Sequence, residues 1–392
     1  MKKFRTMICV LSACVIPLTG SLSGLPAIAD QPAETETISA EAVDTIADVN
    51  APDISARAAV LISADTGEVI FSRDSGDVLS MASTTKIMTV LLTLESAQKN
   101  DDLYEWFTVD SQAIRVEGSS MGLTEGDSVT KYALCCGMLL PSGNDAANAA
   151  AVRIAGNTGD FADMMNRRAE DIGMKSTHFV TPSGLEGNDG GAAHSSTAYD
   201  MALLAREALR NDTFREICSQ QTIETEFGSP PYKRWLKNTN RLLSMYDGVY
   251  GVKTGFTDEA GRCLVSACER DGLDLICVTL GDPDDWNDHM ALYDYGFRTA
   301  HRLTVTLPER YELPFAGGER DTITVSPAED TLDLTVFSAA EGDLSFSAAA
   351  PPFVYAPVSE GEEIAWLRVY LRSEEIMRIP LLAAEDCGGQ DI

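Results

Sequence analysis

The sequence predicts an α/β (α+β) unit with an antiparallel sheet and a helical subdomain, followed by a smaller all-β domain. Three observations carry that expectation. Strand-like runs bracket the first part of the chain, at 59–72 and 249–280. A block of helical periodicity fills the interval, from 81 to 209. After about residue 300 the helical signals stop, and short β runs separated by turns take over.

The chain opens on an export signal, residues 1–29. Lys2, Lys3 and Arg5 form a basic start, residues 7–18 are mostly apolar but too short to span a bilayer, and Ala27-Ile28-Ala29 fits a small-residue cleavage site. An alternative is lipidation at Cys14, since Leu11-Ser12-Ala13-Cys14 resembles a lipoprotein box. Apolar sequence continues past Cys14 and the run before it is short, which favours cleavage. The protein is therefore expected outside the cytoplasm, secreted or, in the alternative, lipid-anchored. Residues 30–51 are acidic, rich in Ala, Thr and Pro, and aperiodic, as a flexible linker would be.

The first folded unit is expected at 52–299. Residues 59–63 read as a buried strand, Asp65-Thr66-Gly67 as a turn, and 69–72 as its hairpin partner. Residues 81–95 read as a helix that is apolar nearly all round and so runs through a core. Further helices are predicted at 131–140, 145–155, 161–174 and 197–209, with a glycine-rich loop at 184–191. Residues 249–255, 262–268 and 273–280 read as successive antiparallel strands, and 286–299 as a helix. The β-rich domain is expected at 300–386, with strands at 304–306, 322–325, 332–337, 364–371 and 376–382, and 387–392 as a polar tail.

The formal net charge of -30 argues against nucleic-acid binding, which wants a basic face, and suits solubility of an exported protein. Cys9 and Cys14 lie in the leader; the remaining seven cysteines are odd in number and include the adjacent Cys135 and Cys136, so they read as small buried residues rather than a disulfide framework. The histidines, His178, His194, His289 and His301, show no metal-ligand spacing, and no metal or other cofactor is expected.

Chemistry is carried by three short motifs in a fixed order. In Ser83-Thr84-Thr85-Lys86, positions i and i+3 share a helix face, so Lys86 can reach the Ser83 hydroxyl and act as its base. A lysine does this only when neutral, and burial or a second cation lowers its pKa. Lys253, if the motifs meet, is that second cation. Ser142-Gly143-Asn144 follows Pro141 and opens an Ala-rich helix, pointing a hydroxyl and an amide into a cleft. Ser142 can pass a proton between Lys86 and a leaving amine, and Asn144 can bond Lys86 or a substrate amide. In Lys253-Thr254-Gly255, on a predicted strand, Gly255 leaves room for a substrate backbone at the strand edge, and Lys253 and Thr254 suit a terminal carboxylate. The backbone N–H groups of Phe256 and Ser83 would form an oxyanion hole. Singly, the motifs also read as a plain core helix, an N-cap and a strand. Lysine usage separates the readings. The chain has nine lysines against 21 arginines, and two of those nine sit in these motifs.

With these motifs the sequence resembles the low-molecular-mass penicillin-binding proteins, the serine-type D-Ala-D-Ala carboxypeptidases. Supporting stretches include Ala82-Ser83-Thr84-Thr85-Lys86-Ile87-Met88-Thr89, Ser142-Gly143-Asn144-Asp145-Ala146-Ala147, Ser183-Gly184-Leu185 and Gly251-Val252-Lys253-Thr254-Gly255-Phe256-Thr257. The resemblance implies a β-lactamase/DD-peptidase-like fold with the site between sheet and helices. It implies removal of the terminal D-alanine from peptidoglycan stem pentapeptides, with Ser83 acylated, Lys86 as base, Ser142 as proton relay, and Lys253 and Thr254 holding the carboxylate. β-Lactams would acylate Ser83 and persist.

Some members end in an amphipathic membrane anchor, whereas the tail from Ala383 onward is acidic and polar, so no such anchor is expected. Arg241 is the candidate for an arginine that some members place near the carboxylate, and the 186–193 loop looks longer than the usual pattern. A class A-like β-lactamase is the nearest rival; it would carry S-D-N instead of Ser142-Gly143-Asn144 and a deacylating glutamate, for which Glu186 is poorly placed. A non-catalytic penicillin-recognising sensor or binding module is the rival of another class, disfavoured by the complete motif set.

Overall fold

A computed structural model describes residues 51–110, 116–185, 188–189, 192–337 and 341–388. The expected leader, the expected linker up to residue 50, Glu186 and residues 389–392 lie outside the described residues. The expected opening hairpin is present, as strands Ala58–Ser63 and Val69–Arg73. They join the strands Val249–Thr257, Gly261–Arg270 and Leu273–Leu280 in one five-stranded antiparallel sheet. Its spatial order is Val69–Arg73, Ala58–Ser63, Leu273–Leu280, Gly261–Arg270, Val249–Thr257, which leaves Val249–Thr257 on an edge.

The opening strand is a continuous apolar run because both faces of the sheet are covered. Successive side chains point to opposite faces. Val60 and Ile62 therefore enter the core shared with the helices, together with Ile276 and Val278. Ala59 and Leu61 enter a second core with Leu275, Cys277 and, from the helix Asp285–Thr299, Leu292 and Tyr293.

The helical region lies where the periodicity puts it. Lys86–Asn100 is buried without a break from Lys86 to Leu94. Lys131–Leu139, Asn144–Ala155, Thr158–Ile172 and Ala198–Ala208 surround it. Thr130, Asn157 and Thr197 explain three of the starts: each side-chain oxygen accepts a backbone N–H of the first turn, from Ala133, Asp160 and Asp200. A short helix, Asp212–Ser219, and a hairpin, Thr222–Gly228 with Pro231–Lys237, were not expected. The hairpin completes a four-stranded sheet with Phe107–Thr108 and Ser128–Val129.

The β-rich region has its own core, built from Leu313, Val325, Leu367, Val369, Leu381 and their neighbours. A six-stranded sheet orders Leu344–Ala349, Glu363–Leu371, Glu374–Ala383, Thr322–Pro327, Tyr311–Ala316 and Val354–Tyr355. His301–Thr306 pairs separately with Thr331–Val336. Two details depart from the expected boundaries. Phe337 packs in the core beneath the first sheet, and its N–H donates to Glu68 at 3.0 Å. Cys387, read as tail, is bridged to Val358 through both backbone hydrogen bonds. The seven described cysteines are all free, and six of them are buried.

Candidate active site

Ser83 stands in a 3₁₀ turn, Ala82–Thr85, and the α-helix proper begins at Lys86. This corrects the expectation of a single helix, but the tighter winding eclipses i and i+3, so the pairing survives. Lys86 Nζ donates to Ser83 Oγ at 2.9 Å. It also donates to Asn144 Oδ1 at 2.7 Å and to the Ser183 carbonyl. Lys86 is wholly buried. That burial, and then the charge of Lys253, hold its pKa well below 10.5, while Asp145 pulls weakly the other way.

The Ser142-Gly143-Asn144 turn is fastened from several sides. Gly143 N–H donates to the Gly137 carbonyl at 2.8 Å, and Asn144 N–H to Ser119 at 2.7 Å. Asn144 Nδ2 donates to the Glu117 carbonyl at 2.6 Å, which fixes the amide so that Oδ1 faces Lys86. Ser142 is buried and held at φ 65°, a strained conformation for a residue with a β-carbon. Asp145, which sequence reasoning passed over, accepts the N–H groups of Met121 and Leu123, each at 2.9 Å, and the Ser120 hydroxyl at 2.6 Å. It thereby ties the neighbouring loop to the turn.

Lys253, Thr254 and Gly255 lie on the edge strand Val249–Thr257. Lys253 is buried, its Nζ donates to the Thr254 carbonyl at 2.7 Å, and burial pulls its pKa down to about 7. A β-carbon on Gly255 would lie 3.1 Å from the Met81 carbonyl oxygen and 3.2 Å from the Ser83 nitrogen. The strand edge therefore runs directly against the Ser83 turn, closer than most side chains would allow. Phe256 follows, with its ring exposed and its backbone paired in register with Arg262. Arg241 is exposed and precedes the short helix Leu242–Met245. The side chain that meets Thr254 belongs instead to Thr239, whose hydroxyl lies 2.7 Å from the Thr254 hydroxyl.

Three distant segments thus converge on one serine. The family model that matches residues 45–284 is described as D-alanyl-D-alanine carboxypeptidase. The chain belongs to the D-alanyl-D-alanine carboxypeptidase family. It is 32% identical over 338 residues to a D-alanyl-D-alanine carboxypeptidase of Bacillus subtilis, covering 84% of this chain and 85% of that one. Among solved structures, penicillin binding protein 5 from Haemophilus influenzae matches with a TM-score of 0.65 at 25% identity, over 87% of this chain and 100% of that one. The Streptomyces K15 DD-transpeptidase matches with a TM-score of 0.59 at 33% identity, over 64% of this chain and 100% of that one. As a member of the carboxypeptidase family the protein is a hydrolase, and its α+β fold with a separate β-rich region is that of its structural neighbours. No helix among the described residues is long and apolar enough to cross a membrane.

Proposed function

We propose that the protein removes the terminal D-alanine from peptidoglycan stem pentapeptides through an acyl-enzyme on Ser83. The observation that carries this is the buried Lys86 amine, 2.9 Å from Ser83 Oγ, with its pKa depressed by burial and by Lys253. Lys86 takes the Ser83 proton as the hydroxyl attacks the peptide carbonyl. The N–H groups of Ser83 and Phe256 receive the developing oxyanion. Ser142 relays the proton to the leaving D-alanine, while Asn144 holds Lys86. Lys253, Thr254 and the cleared edge at Gly255 seat the terminal carboxylate. Water completes the cycle, and β-lactams acylate the same serine and stay. On this reading the enzyme works outside the cytoplasm, in keeping with the basic and apolar leader.

Purified protein is mixed with diacetyl-Lys-D-Ala-D-Ala and with a fluorescent penicillin. D-Alanine release together with a persistent adduct is expected. Rapid turnover of penicillin would point to a β-lactamase, and an adduct without D-alanine release to a sensor. Ser83→Ala is expected to lose the label entirely; retained label overturns the assignment. Thr239→Val is expected to raise KM about fivefold, the size of one hydrogen bond, with kcat little changed. The pH profile of kcat/KM is expected to fall on both sides. Activity is lost as pH falls through the Lys86 pKa, because the base becomes protonated. It is lost again as pH rises through about 7, where free-enzyme Lys253 sheds the charge that holds the carboxylate.

A further inference from the structure

His194 makes hydrogen bonds that join the backbone at Val180 and Thr181 to Thr85 in the Ser83 turn. Its Nδ1 faces the backbone N–H of Val180 at 3.0 Å and that of Thr181 at 3.4 Å. Backbone N–H groups only donate, so Nδ1 carries no proton, and a neutral ring must carry its hydrogen on Nε2. Nε2 lies 2.7 Å from Thr85 Oγ1, which in turn donates to the Ala82 carbonyl at 2.8 Å. The order of donation is therefore set: imidazole to hydroxyl, hydroxyl to carbonyl. Ala82 precedes the nucleophile and is held at φ 47°, in the left-handed region. On the other side, residues 180–184 turn back to present the Ser183 carbonyl to Lys86, with Gly184 N–H on Thr181 Oγ1 at 3.2 Å.

We propose that His194 is a positioning residue, which as the Nε2–H tautomer locks the Ser83 turn and the Lys86-binding turn into one register. The ring is suited to that task. It is buried, with the Phe179 ring edge-on at 6.0 Å. Burial, and then the charges of His178 and Lys86, push its pKa down to about 4, so it stays neutral at working pH. A second proton on Nδ1 would confront the Val180 N–H and break the link. The proposal rests on Ser83 being the acylated nucleophile, since it assigns His194 the placement of that hydroxyl.

The test uses the whole enzyme, fluorescent penicillin and diacetyl-Lys-D-Ala-D-Ala, with melting temperatures alongside. His194→Gln places an amide N–H at the ε position and preserves the Thr85 link. His194→Asn preserves only the Val180 contact. His194→Asn and Thr85→Val are each expected to slow acylation at saturation about tenfold with KM little changed, the effect of one misplaced hydrogen bond. The double variant should be little worse than either single one, because both cut the same link. His194→Gln should recover to within about threefold of wild type. Equal impairment of the Gln and Asn variants, or full activity in the Asn variant, overturns the proposal. Nitrogen-15 NMR of the wild-type histidines gives an independent reading even where a variant fails to fold. An Nε2–H pattern for His194 is expected, and an Nδ1–H or doubly protonated ring at neutral pH overturns it. Label that survives Ser83→Ala would defeat the nucleophile assignment while leaving the tautomer result standing.

Discussion

Lys86→Arg is expected to give a folded protein whose Ser83 acylates roughly a thousandfold more slowly, within the range general-base catalysis supplies. The guanidinium puts a permanent cation beside Ser83 Oγ and cannot lose its proton at any working pH. A slow residual rate that no longer falls toward low pH would fit this, whereas a near-normal rate would mean Lys86 serves as a fixed charge and not as a base. Lys86→Met is expected to lose acylation similarly and to expose a second consequence of the depressed pKa. In the folded protein the pKa of Lys86 lies well below 10.5; in the unfolded chain it returns to about that value. Between those two values the unfolded state binds the extra proton, so the contribution of Lys86 to stability rises with pH across that window. Below the folded pKa its full burial penalty applies. The slope of unfolding free energy against pH, measured by urea titration from neutral to pH 10, should therefore be flatter in Lys86→Met than in wild type. An unchanged slope would show that Lys86 is fully protonated in the folded enzyme.

The parts of this site that could be read in advance are those in which two groups share a short stretch of chain or one strand. Ser83 and Lys86 are three residues apart, so local geometry alone brings them to 2.9 Å, whether the turn is α or 3₁₀. Lys253 and Gly255 are two residues apart and so share a face of one edge strand, and the need for a bare strand edge is visible as a glycine. Groups that act through the backbone or through long-range contact were not visible. The Ser183 carbonyl reaches Lys86 across 97 residues and has no side-chain signature. Thr239 is an ordinary threonine until the strand that follows it places Thr254 alongside. His194 entered only as a failed metal ligand, because an imidazole that holds a turn needs no particular spacing.

The same distinction holds for the fold. Continuous apolar runs such as Ala59-Val60-Leu61-Ile62 declare themselves, because both faces are covered. Strand Tyr311–Ala316 carries Pro314, which argues against a strand on local grounds, yet it pairs with Thr322–Pro327 on one side and at its end with Val354–Tyr355 on the other. Leu344–Ala349 has no β-branched residue, and its pairing with Glu363–Leu371 is what makes it a strand. The hairpin Thr222–Gly228 with Pro231–Lys237 is solvent-facing on one side, where Glu224, Glu226, Lys233 and Trp235 are exposed, so its apolar pattern is faint.

Gly184→Ala is expected to be far more damaging than an ordinary loop substitution, and the reason is where its β-carbon would go. It would lie 2.0 Å from the Ala82 carbonyl oxygen and 2.6 Å from the carbonyl carbon. Those are backbone atoms of the residue before Ser83, and the same oxygen accepts the Thr85 hydroxyl, so relief requires moving the nucleophile turn itself. Gly184 also sits at φ 82°, where any L residue pays about 1–2 kcal/mol. Gly272→Ala separates the two effects. Gly272 has φ 79° and nothing within 4 Å of the added carbon, so it carries the conformational cost alone. Gly272→Ala should lose about 1 kcal/mol of stability and acylate normally. Gly184→Ala should lose more than about 3 kcal/mol, and the fraction that remains folded should acylate at least about a hundredfold more slowly. Similar losses at both positions would mean that the Ser83 turn yields easily. Its precise placement would then have to come from the substrate, not from the packing of Gly184 against Ala82.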